Sequence, residues 1–302
     1  MLLFKVIGPR AFCELLARES TRRVIPVDAS WYMPNANRDP LAEFLTQDRL
    51  ANAVFFDIDR VKDTASPFPH MLPDLPTFNA SMSQLGIRNS DVLVVYDRLG
   101  NFSAPRCAWT LAVLGHPQVY LLNSFPKYKQ LGLPLDTTAR AVVSLLPQPS
   151  QYRSTMSHTA SELVEFEELM ALVETGTLAD RYNVFDARSE PRFTGDAPEP
   201  RPGLPSGHVP GAQPLPFTAT LADGCFDDDA TAMRARIDQY LAQSQGTLDP
   251  KKPTIAMCGT GVSGVIIKTA LELAGVQDVR LYDGSWTEWV QRAGSQWIAR
   301  GK

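Results

Sequence analysis

Cysteine is scarce in this chain of 302 residues, which contains four. The four are Cys13, Cys107, Cys225 and Cys258. They are scattered and form no Cys-x-x-Cys pair, so the sequence predicts neither a zinc site nor a disulfide framework. Isolated thiols of this kind are typical of a protein from a reducing compartment.

Long apolar runs and a strong net charge are also missing. No apolar segment approaches the roughly 20 residues of a membrane helix, so no membrane association is expected. The formal net charge is −4, which gives no broad basic face for direct nucleic-acid binding. Glu14 and Glu19 interrupt the basic N-terminal segment, which makes it a poor mitochondrial presequence. We therefore expect a cytoplasmic protein and leave a mitochondrial pool open. We predict that the N-terminal segment forms the first helix, before a first strand at residues 24–27.

A loose internal repeat is present, at a spacing of about 160 residues. Asp28 follows an apolar run in the first half as Asp186 does in the second, and Val92–Tyr96 corresponds to Thr254–Met257. Each half alternates short β-rich runs with helical patterns. The sequence thus predicts two α/β domains, each a parallel sheet with helices on both faces. We place them at residues 1–140 and 161–302, with a linker at 141–160.

The most informative thiol is Cys258, which lies between an apolar run and a helix-like run. The turn there consists mainly of glycine and hydroxyl residues, namely Cys258-Gly259-Thr260-Gly261-Val262-Ser263-Gly264. Backbone N–H groups in such a turn, and at the start of a helix, stabilise negative charge. We therefore predict a nucleophilic thiolate at Cys258 near neutral pH.

The other thiols are expected to be structural or incidental. Cys107 falls in a helix-like run and is predicted to be buried, as free cysteines commonly are. Cys225 lies in the acidic run 223–229, which we interpret as a solvated loop. The Pro/Gly-rich stretch 191–216 predicts neither a helix nor a central strand. It contains the basic residues Arg192 and Arg201, which make it more than a spacer.

Two familiar loop motifs fit poorly. Residues 259–264 match Gly-x-Gly-x-x-Gly, and Asp283 follows about twenty residues on, as in a dinucleotide fingerprint. However, the chain ends too soon after Asp283 to complete a dinucleotide-binding fold. A cysteine phosphatase would need an arginine six residues after the cysteine, where this chain has Gly264.

The loop Cys-Gly-Thr-Gly-Val-Ser resembles that of the 3-mercaptopyruvate and thiosulfate sulfurtransferases, which form the tandem rhodanese family. Within it, the similarity points to fungal enzymes that supply sulfur for tRNA wobble-uridine thiolation. Matching motifs extend along the whole chain and are found at residues 28–32, 55–59, 66–73, 198–201, 207–211 and 282–286. The resemblance implies two tandem rhodanese-like domains, of which the first is non-catalytic and the second catalytic.

The resemblance also implies roles for particular residues. Cys258 would accept the sulfur, and Asp59, His70 and Thr260 would handle protons across the domain interface. Arg192 and Arg201 would hold the carboxylate and keto oxygen of the substrate, and guanidinium groups suit planar carboxylates. The remaining substrate-binding positions are the loop residues Gly259, Gly261, Val262 and Ser263.

The implied activity is sulfur transfer from 3-mercaptopyruvate through a Cys258 persulfide to a small thiol, thioredoxin or another sulfur-accepting protein. No metal or organic cofactor is expected, because the cysteine carries the sulfur covalently. One alternative is that thiosulfate:cyanide sulfurtransfer is the main activity. Another is a non-catalytic rhodanese-like interaction module, although such a module would not need a thiol at this turn.

Overall fold

Two five-stranded parallel sheets form the framework of the computed structural model, which describes residues 2–141 and 148–301. The strand orders are β1-β5-β4-β2-β3 and β6-β10-β9-β7-β8, so the two halves share one topology. The first half contains β1 (Lys5–Ile7), α1 (Pro9–Arg18), β2 (Val24–Asp28), α2 (Pro40–Thr46), β3 (Val54–Phe55), α3 (Leu75–Gln84), β4 (Val92–Tyr96), α4 (Ala104–Val113), β5 (Val119–Leu122) and α5 (Phe125–Gln130).

The second half contains α6 (Thr159–Glu162), β6 (Leu163–Val164), α7 (Phe166–Glu174), α8 (Leu178–Arg181), β7 (Asn183–Asp186), α9 (Glu190–Thr194), β8 (Gln213–Pro214), α10 (Ala230–Ser244), β9 (Thr254–Met257), α11 (Val262–Leu273), β10 (Val279–Tyr282) and α12 (Ser285–Arg292). Short 3-10 helices occupy Pro34–Ala36, Phe217–Thr220 and Ser295–Trp297. The predicted α/β class with tandem domains is confirmed.

The central strands explain why each half folds in this way. Every residue of β4 and of β9 is buried, as expected of parallel strands covered on both faces. Helices α4 and α11 pack together, and their apolar residues belong to a core that extends through both halves. The two halves therefore share one interface core and are held against each other.

Strand register places Cys258 in the repeat. Asp28 pairs with Tyr96 in the first sheet, and Asp186 pairs with Met257 in the second. The residues that follow, Asp97 and Cys258, thus occupy corresponding positions at the carboxyl ends of β4 and β9. Parallel α/β sheets place their ligand sites at this edge.

The structure corrects two expectations about secondary structure. The first strand is β1 at Lys5–Ile7, rather than residues 24–27, and it lies at the sheet edge beside β5. The stretch 191–216 does contain a helix, because α9 begins with a proline in its first turn, where a missing N–H costs nothing. Its strand β8 contains Pro214 and lies at the sheet edge, as proline in a sheet usually does.

The acidic run 223–229 is not simply solvated, so that interpretation is wrong in part. Asn101 donates to the carbonyl of Gly224 (2.7 Å), and Asn123 donates to the carbonyl of Phe226 (2.9 Å). This segment therefore docks on the first half of the chain. Cys225, which would be exposed in a solvated loop, is half-buried, whereas Cys107 is buried as predicted.

The connection between the halves runs along the first domain. Residues 142–147 of the predicted linker lie outside the described residues, and Thr159 already starts α6. Between these, Ser150 donates to the Ser83 carbonyl (2.9 Å) and Tyr152 is buried. The exact domain boundaries stay a prediction. Among the described residues, no helix is long and apolar enough to cross a membrane.

Candidate active site

The loop after β9 presents Cys258 with only 2% of its surface exposed. The Cys258 N–H donates to Ser285 Oγ (3.1 Å), and its carbonyl accepts from the Trp286 N–H (2.9 Å). The Gly259 carbonyl accepts from both the N–H (3.0 Å) and the hydroxyl (2.8 Å) of Thr287. The first turn of α12 therefore fixes the position of the thiol.

Two glycines of this loop are required for physical reasons. Gly261 has φ +76°, and a Cβ there would lie 2.7 Å from the Asp283 carbonyl oxygen. At Gly264 a Cβ would lie 2.9 Å from Leu281 Cδ1, in the packing between α11 and the sheet. A phosphate-binding arginine at position 264 would have to displace the Leu281 side chain and would crowd the Met257 backbone, 3.2 Å from the Cβ position. The interpretation of the loop as something other than a phosphatase loop therefore agrees with its packing.

The corresponding loop of the first half shows what this geometry binds. The carboxylate of Asp97 accepts four backbone N–H bonds, from Leu99 (2.9 Å), Phe102 (2.8 Å), Ser103 (2.9 Å) and Ala104 (2.7 Å). Burial raises the pKa of Asp97, and these N–H donors oppose the rise. The first half thus fills its own loop with an acidic side chain.

In the second half the same donors are available. The N–H groups of Thr260, Ser263 and Gly264, which correspond to those of Leu99, Phe102 and Ser103, have no acceptor within residues 2–141 and 148–301. With Cys258 in place of an aspartate, the loop offers these donors to charge that develops on or beyond the sulfur. Oriented backbone N–H groups in a buried site stabilise such charge strongly.

The first half contributes His70, which is 3% exposed. His70 Nδ1 lies 3.2 Å from Thr260 Oγ1, and Nε2 lies 2.8 Å from Asp59 Oδ1. The other carboxylate oxygen of Asp59 accepts from Trp31 Nε1 (2.8 Å). The structure therefore brings Asp59, His70 and Thr260 together across the interface, and their catalytic roles stay predictions.

The backbone at His70 is unusual. Its φ of +63° lies in the left-handed region, which costs a residue with a side chain about 1 kcal/mol. The equivalent turn of the second half has Gly224, at φ +74°. His70 and Gly224 are equivalent because a matching hydrogen bond follows two residues after each of them. The Leu72 N–H donates to Asp283 (2.7 Å), and the Phe226 N–H donates to Asn123 (2.9 Å). Glycine would suit this turn better, so the imidazole there indicates function.

Burial lowers the pKa of His70, and the hydrogen bond to Asp59 partly opposes this. The same hydrogen bond lowers the pKa of Asp59. At neutral pH the pair is therefore a neutral imidazole beside an ionised carboxylate. Nε2 then carries the proton that Asp59 accepts, which leaves Nδ1 to accept from the Thr260 hydroxyl. The chain of hydrogen bonds polarises Thr260 toward His70.

Replacing His70 with asparagine is expected to lower kcat/KM about 10²- to 10³-fold, because general acid–base groups contribute on this scale. His70 has a lowered pKa, so it protonates only below the ordinary value of about 6.5. The acid limb of the wild-type pH profile should therefore lie below that pH, and His70→Asn should lack it. His116→Asn is the matched control, since His116 is buried against Tyr152 and the Asp91 carbonyl, outside the site. Equal losses in both variants would contradict the assignment.

The two predicted substrate-binding arginines lie in different surroundings. Arg192, near the end of α9, donates to Glu199 (2.5 Å), and its Nη2 would lie 3.3 Å from a Cβ at Gly259. Arg201 is half-buried, and no acidic group or acceptor in the described chain forms a hydrogen bond or ion pair with it. Burial lowers the pKa of Arg201, while the charges of Asp59 and Cys258 oppose this. Within the described residues, Arg201 is thus a cation without a hydrogen-bond or ion-pair partner, near enough to Cys258 for the two charges to interact.

Sequence reasoning missed Arg106 and assigned no role to Asp283. Arg106 lies on α4 of the first half, is buried, and forms an ion pair with the equally buried Asp283 of the second. Its guanidinium also donates to the carbonyls of His70 and Gly261, the latter at 3.2 Å. One side chain therefore joins the turn of His70 to the loop of Cys258. An arginine within an otherwise mainly apolar helix was the available signal.

The site is a buried thiol on a glycine-rich loop, and it lies at the junction of two like α/β domains of which only one carries the thiol. This arrangement defines a two-domain sulfurtransferase of rhodanese fold. Residues 165–292 match the family model described as "Rhodanese-like domain". The chain is 52% identical to the thiosulfate sulfurtransferase TUM1 of Saccharomyces cerevisiae, over the full length of both proteins. It is 37% identical to a probable 3-mercaptopyruvate sulfurtransferase of Schizosaccharomyces pombe, covering 91% of this chain and 89% of the relative.

Solved structures agree with these sequence comparisons. The crystal structure of the Saccharomyces cerevisiae Tum1 protein superimposes with a TM-score of 0.96 over 99% of both chains. A sulfur transferase subunit of yeast mitochondrial complex I gives a TM-score of 0.83 at 35% identity, over 99% of this chain and 100% of that one. The chain therefore belongs to the 3-mercaptopyruvate and thiosulfate sulfurtransferase family, as its motifs predict, and it is a sulfurtransferase.

Proposed function

We propose that this enzyme takes sulfur from 3-mercaptopyruvate, holds it as a persulfide on Cys258, and passes it to a thiol or protein acceptor. The observation that carries this proposal is that backbone donors and the cation Arg201 near one buried thiol have no partner among the residues that the structure describes. The donors suit a negatively charged sulfur, and the cation suits the carboxylate of the donor molecule.

In the first step, the Cys258 thiolate attacks the thiol sulfur of 3-mercaptopyruvate. A sulfur–sulfur bond forms and the carbon–sulfur bond breaks, with its electron pair passing to carbon as the enolate of pyruvate. The enolate takes up one proton and the new persulfide gives up the proton it received with the sulfur. Pyruvate leaves, and the Cys258 persulfide anion remains with no net change in charge or proton count.

The neighbouring side chains serve these events. Arg201 and the free part of the Arg192 guanidinium hold the carboxylate and keto oxygen of the donor. The hydroxyl of Thr260, which is hydrogen-bonded to His70 and belongs to the loop of Cys258, relays the proton between persulfide and enolate. Asp59 keeps His70 in the tautomer that accepts from Thr260. Gly259, Gly261, Val262 and Ser263 form the wall of the loop around the bound sulfur.

The persulfide is then attacked by an acceptor thiol, for which we propose a small thiol, thioredoxin or another sulfur-accepting protein. By similarity to the fungal relatives, we propose that the sulfur feeds tRNA wobble-uridine thiolation through such a protein, without direct RNA contact. We propose a cytoplasmic location with a mitochondrial pool, which the similarity to the yeast mitochondrial sulfur transferase subunit supports. Thiosulfate is the second candidate donor, because the relative with 52% identity is named for it.

Mass spectrometry of the intact protein tests this proposal directly. After incubation with 3-mercaptopyruvate, we expect one added sulfur, located on the Cys258 peptide and removed by dithiothreitol. Thiosulfate in a parallel incubation shows whether the same residue takes sulfur from either donor. Release of pyruvate without sulfur on Cys258 would refute the persulfide route. Absence of both products would favour the non-catalytic module.

A further inference from the structure

We propose that Glu199, a residue that does not touch the donor, sets the preference between donors of one and two negative charges by neutralising Arg192. The inference rests on the proposed function, in that anionic donors must reach Cys258. It concerns the charge balance around the thiol and adds a specificity-determining residue to the site.

Glu199 lies between two arginines and is held firmly. Its side chain is 4% exposed, with one oxygen accepting from Arg188 (2.8 Å) and the other from Arg192 (2.5 Å). Arg188 is itself fixed by Asp186 (2.6 Å) and by the Gly207 carbonyl (2.7 Å). Since both of its oxygens are engaged by these arginines, Glu199 keeps its place when a ligand enters.

The charges of this network cancel. Asp186 and Glu199 carry two negative charges, and Arg188 and Arg192 carry two positive ones. Arg201 remains outside the network with no ion pair in the described residues. Glu199 therefore cancels the charge of Arg192, while the Asp59 carboxylate acts on Arg201 without forming an ion pair with it. A donor with two negative charges, such as thiosulfate, loses more from the neutralisation of Arg192 than 3-mercaptopyruvate, whose carboxylate carries one.

The network is close enough to act on the donor. Arg192 Nη2 would lie 3.3 Å from a Cβ at Gly259, the residue directly after the catalytic thiol. Glu199, at 2.5 Å from the same nitrogen, therefore acts on the space in which the donor binds. Coulomb energy is proportional to the charge of the ligand. A change in the protein charge near the donor therefore changes the binding energy of a dianion twice as much as that of a monoanion.

Glu199→Gln tests the inference. The amide oxygen can still accept from Arg188 and from Arg192 Nε (3.2 Å), while the amide N–H groups cannot accept from Arg192 Nη2, which is freed together with its uncancelled charge. We expect kcat/KM for both donors to rise, mainly through KM, by about fivefold for 3-mercaptopyruvate and about the square of that factor for thiosulfate. The thiosulfate:mercaptopyruvate ratio of kcat/KM should then rise about fivefold, and less at high salt. Pyruvate is measured for one donor, and thiocyanate formed from cyanide for the other.

Two further variants make the result decisive. Glu199→Asp keeps the negative charge and should keep a ratio near that of the wild type. Glu167→Gln removes the same charge from the surface pair with Arg292, and should change neither donor. A ratio that stays constant in Glu199→Gln, or that shifts equally in Glu199→Asp, would overturn the role of charge, provided thermal unfolding shows that the variants are folded. Failure of the proposed function would be seen separately, as a wild type that forms no Cys258 persulfide.

Discussion

Cys258→Ser is expected to lower kcat/KM for sulfur transfer by about 10⁴-fold or more with either donor, because a hydroxyl cannot carry the transferred sulfur. The fold should tolerate this change, since it replaces a single side-chain atom by a smaller one and so introduces no clash. The Cys258 N–H and carbonyl keep their bonds to the start of α12. Activity is followed as pyruvate release from 3-mercaptopyruvate and as thiocyanate formation from thiosulfate.

Cys225→Ser is the matched control for this prediction. Cys225 is a half-buried thiol in the segment that docks on the first half, outside the site. Its replacement should leave both activities within about twofold of the wild type, as surface substitutions usually do. Continued pyruvate release by Cys258→Ser would show that the covalent route is wrong. Equal loss in the two variants would point to a general effect of thiol removal.

Arg106→Ala is expected to destabilise the protein by about 3–5 kcal/mol, because it leaves the Asp283 carboxylate buried without its partner. The carbonyls of His70 and Gly261 lose a donor at the same time. Since these groups belong to different halves, the loss should also loosen the contact between His70 and Thr260. Denaturant unfolding measures the first effect, and kcat/KM for 3-mercaptopyruvate measures the second.

Two comparisons separate this buried pair from ordinary ion pairs. Arg234→Ala breaks the exposed pair with Asp238 on α10 and should cost no more than about 0.5 kcal/mol. The double variant Arg106→Met with Asp283→Asn removes both charges and should recover part of the lost stability. The interpretation would be contradicted if Arg106→Ala unfolded at the same denaturant concentration as Arg234→Ala.

The parts of the fold that were predictable from the sequence have strong local patterns. β4 and β9 are continuous apolar runs, and glycine-bearing turns and long apolar helices follow both, so their class and order could be inferred. β1 was missed because an edge strand of three residues has no such pattern. The helix α9 was missed because proline in a first turn looks the same in sequence as proline that breaks a helix.

The residues of the candidate site also differ in whether local sequence was enough to predict them. Cys258 and its loop could be recognised from adjacent residues, because the strand, turn and helix that position the thiol are continuous in the chain. Asp59, His70, Arg192 and Arg201 entered only through family resemblance. Arg106 and Glu199 were not predicted, because their importance depends on which buried charges they meet.

The sequence alone determined the class of protein, the duplicated α/β plan and Cys258 as the candidate thiol. Tertiary structure alone decided which groups surround that thiol, and therefore its chemistry. His70 and Thr260 are 190 residues apart in the chain and 3.2 Å apart in space. The physical reason is that helices, strands and turns follow from short-range steric and hydrophobic patterns. Charge balance and proton relays instead depend on distances between residues that only folding brings together.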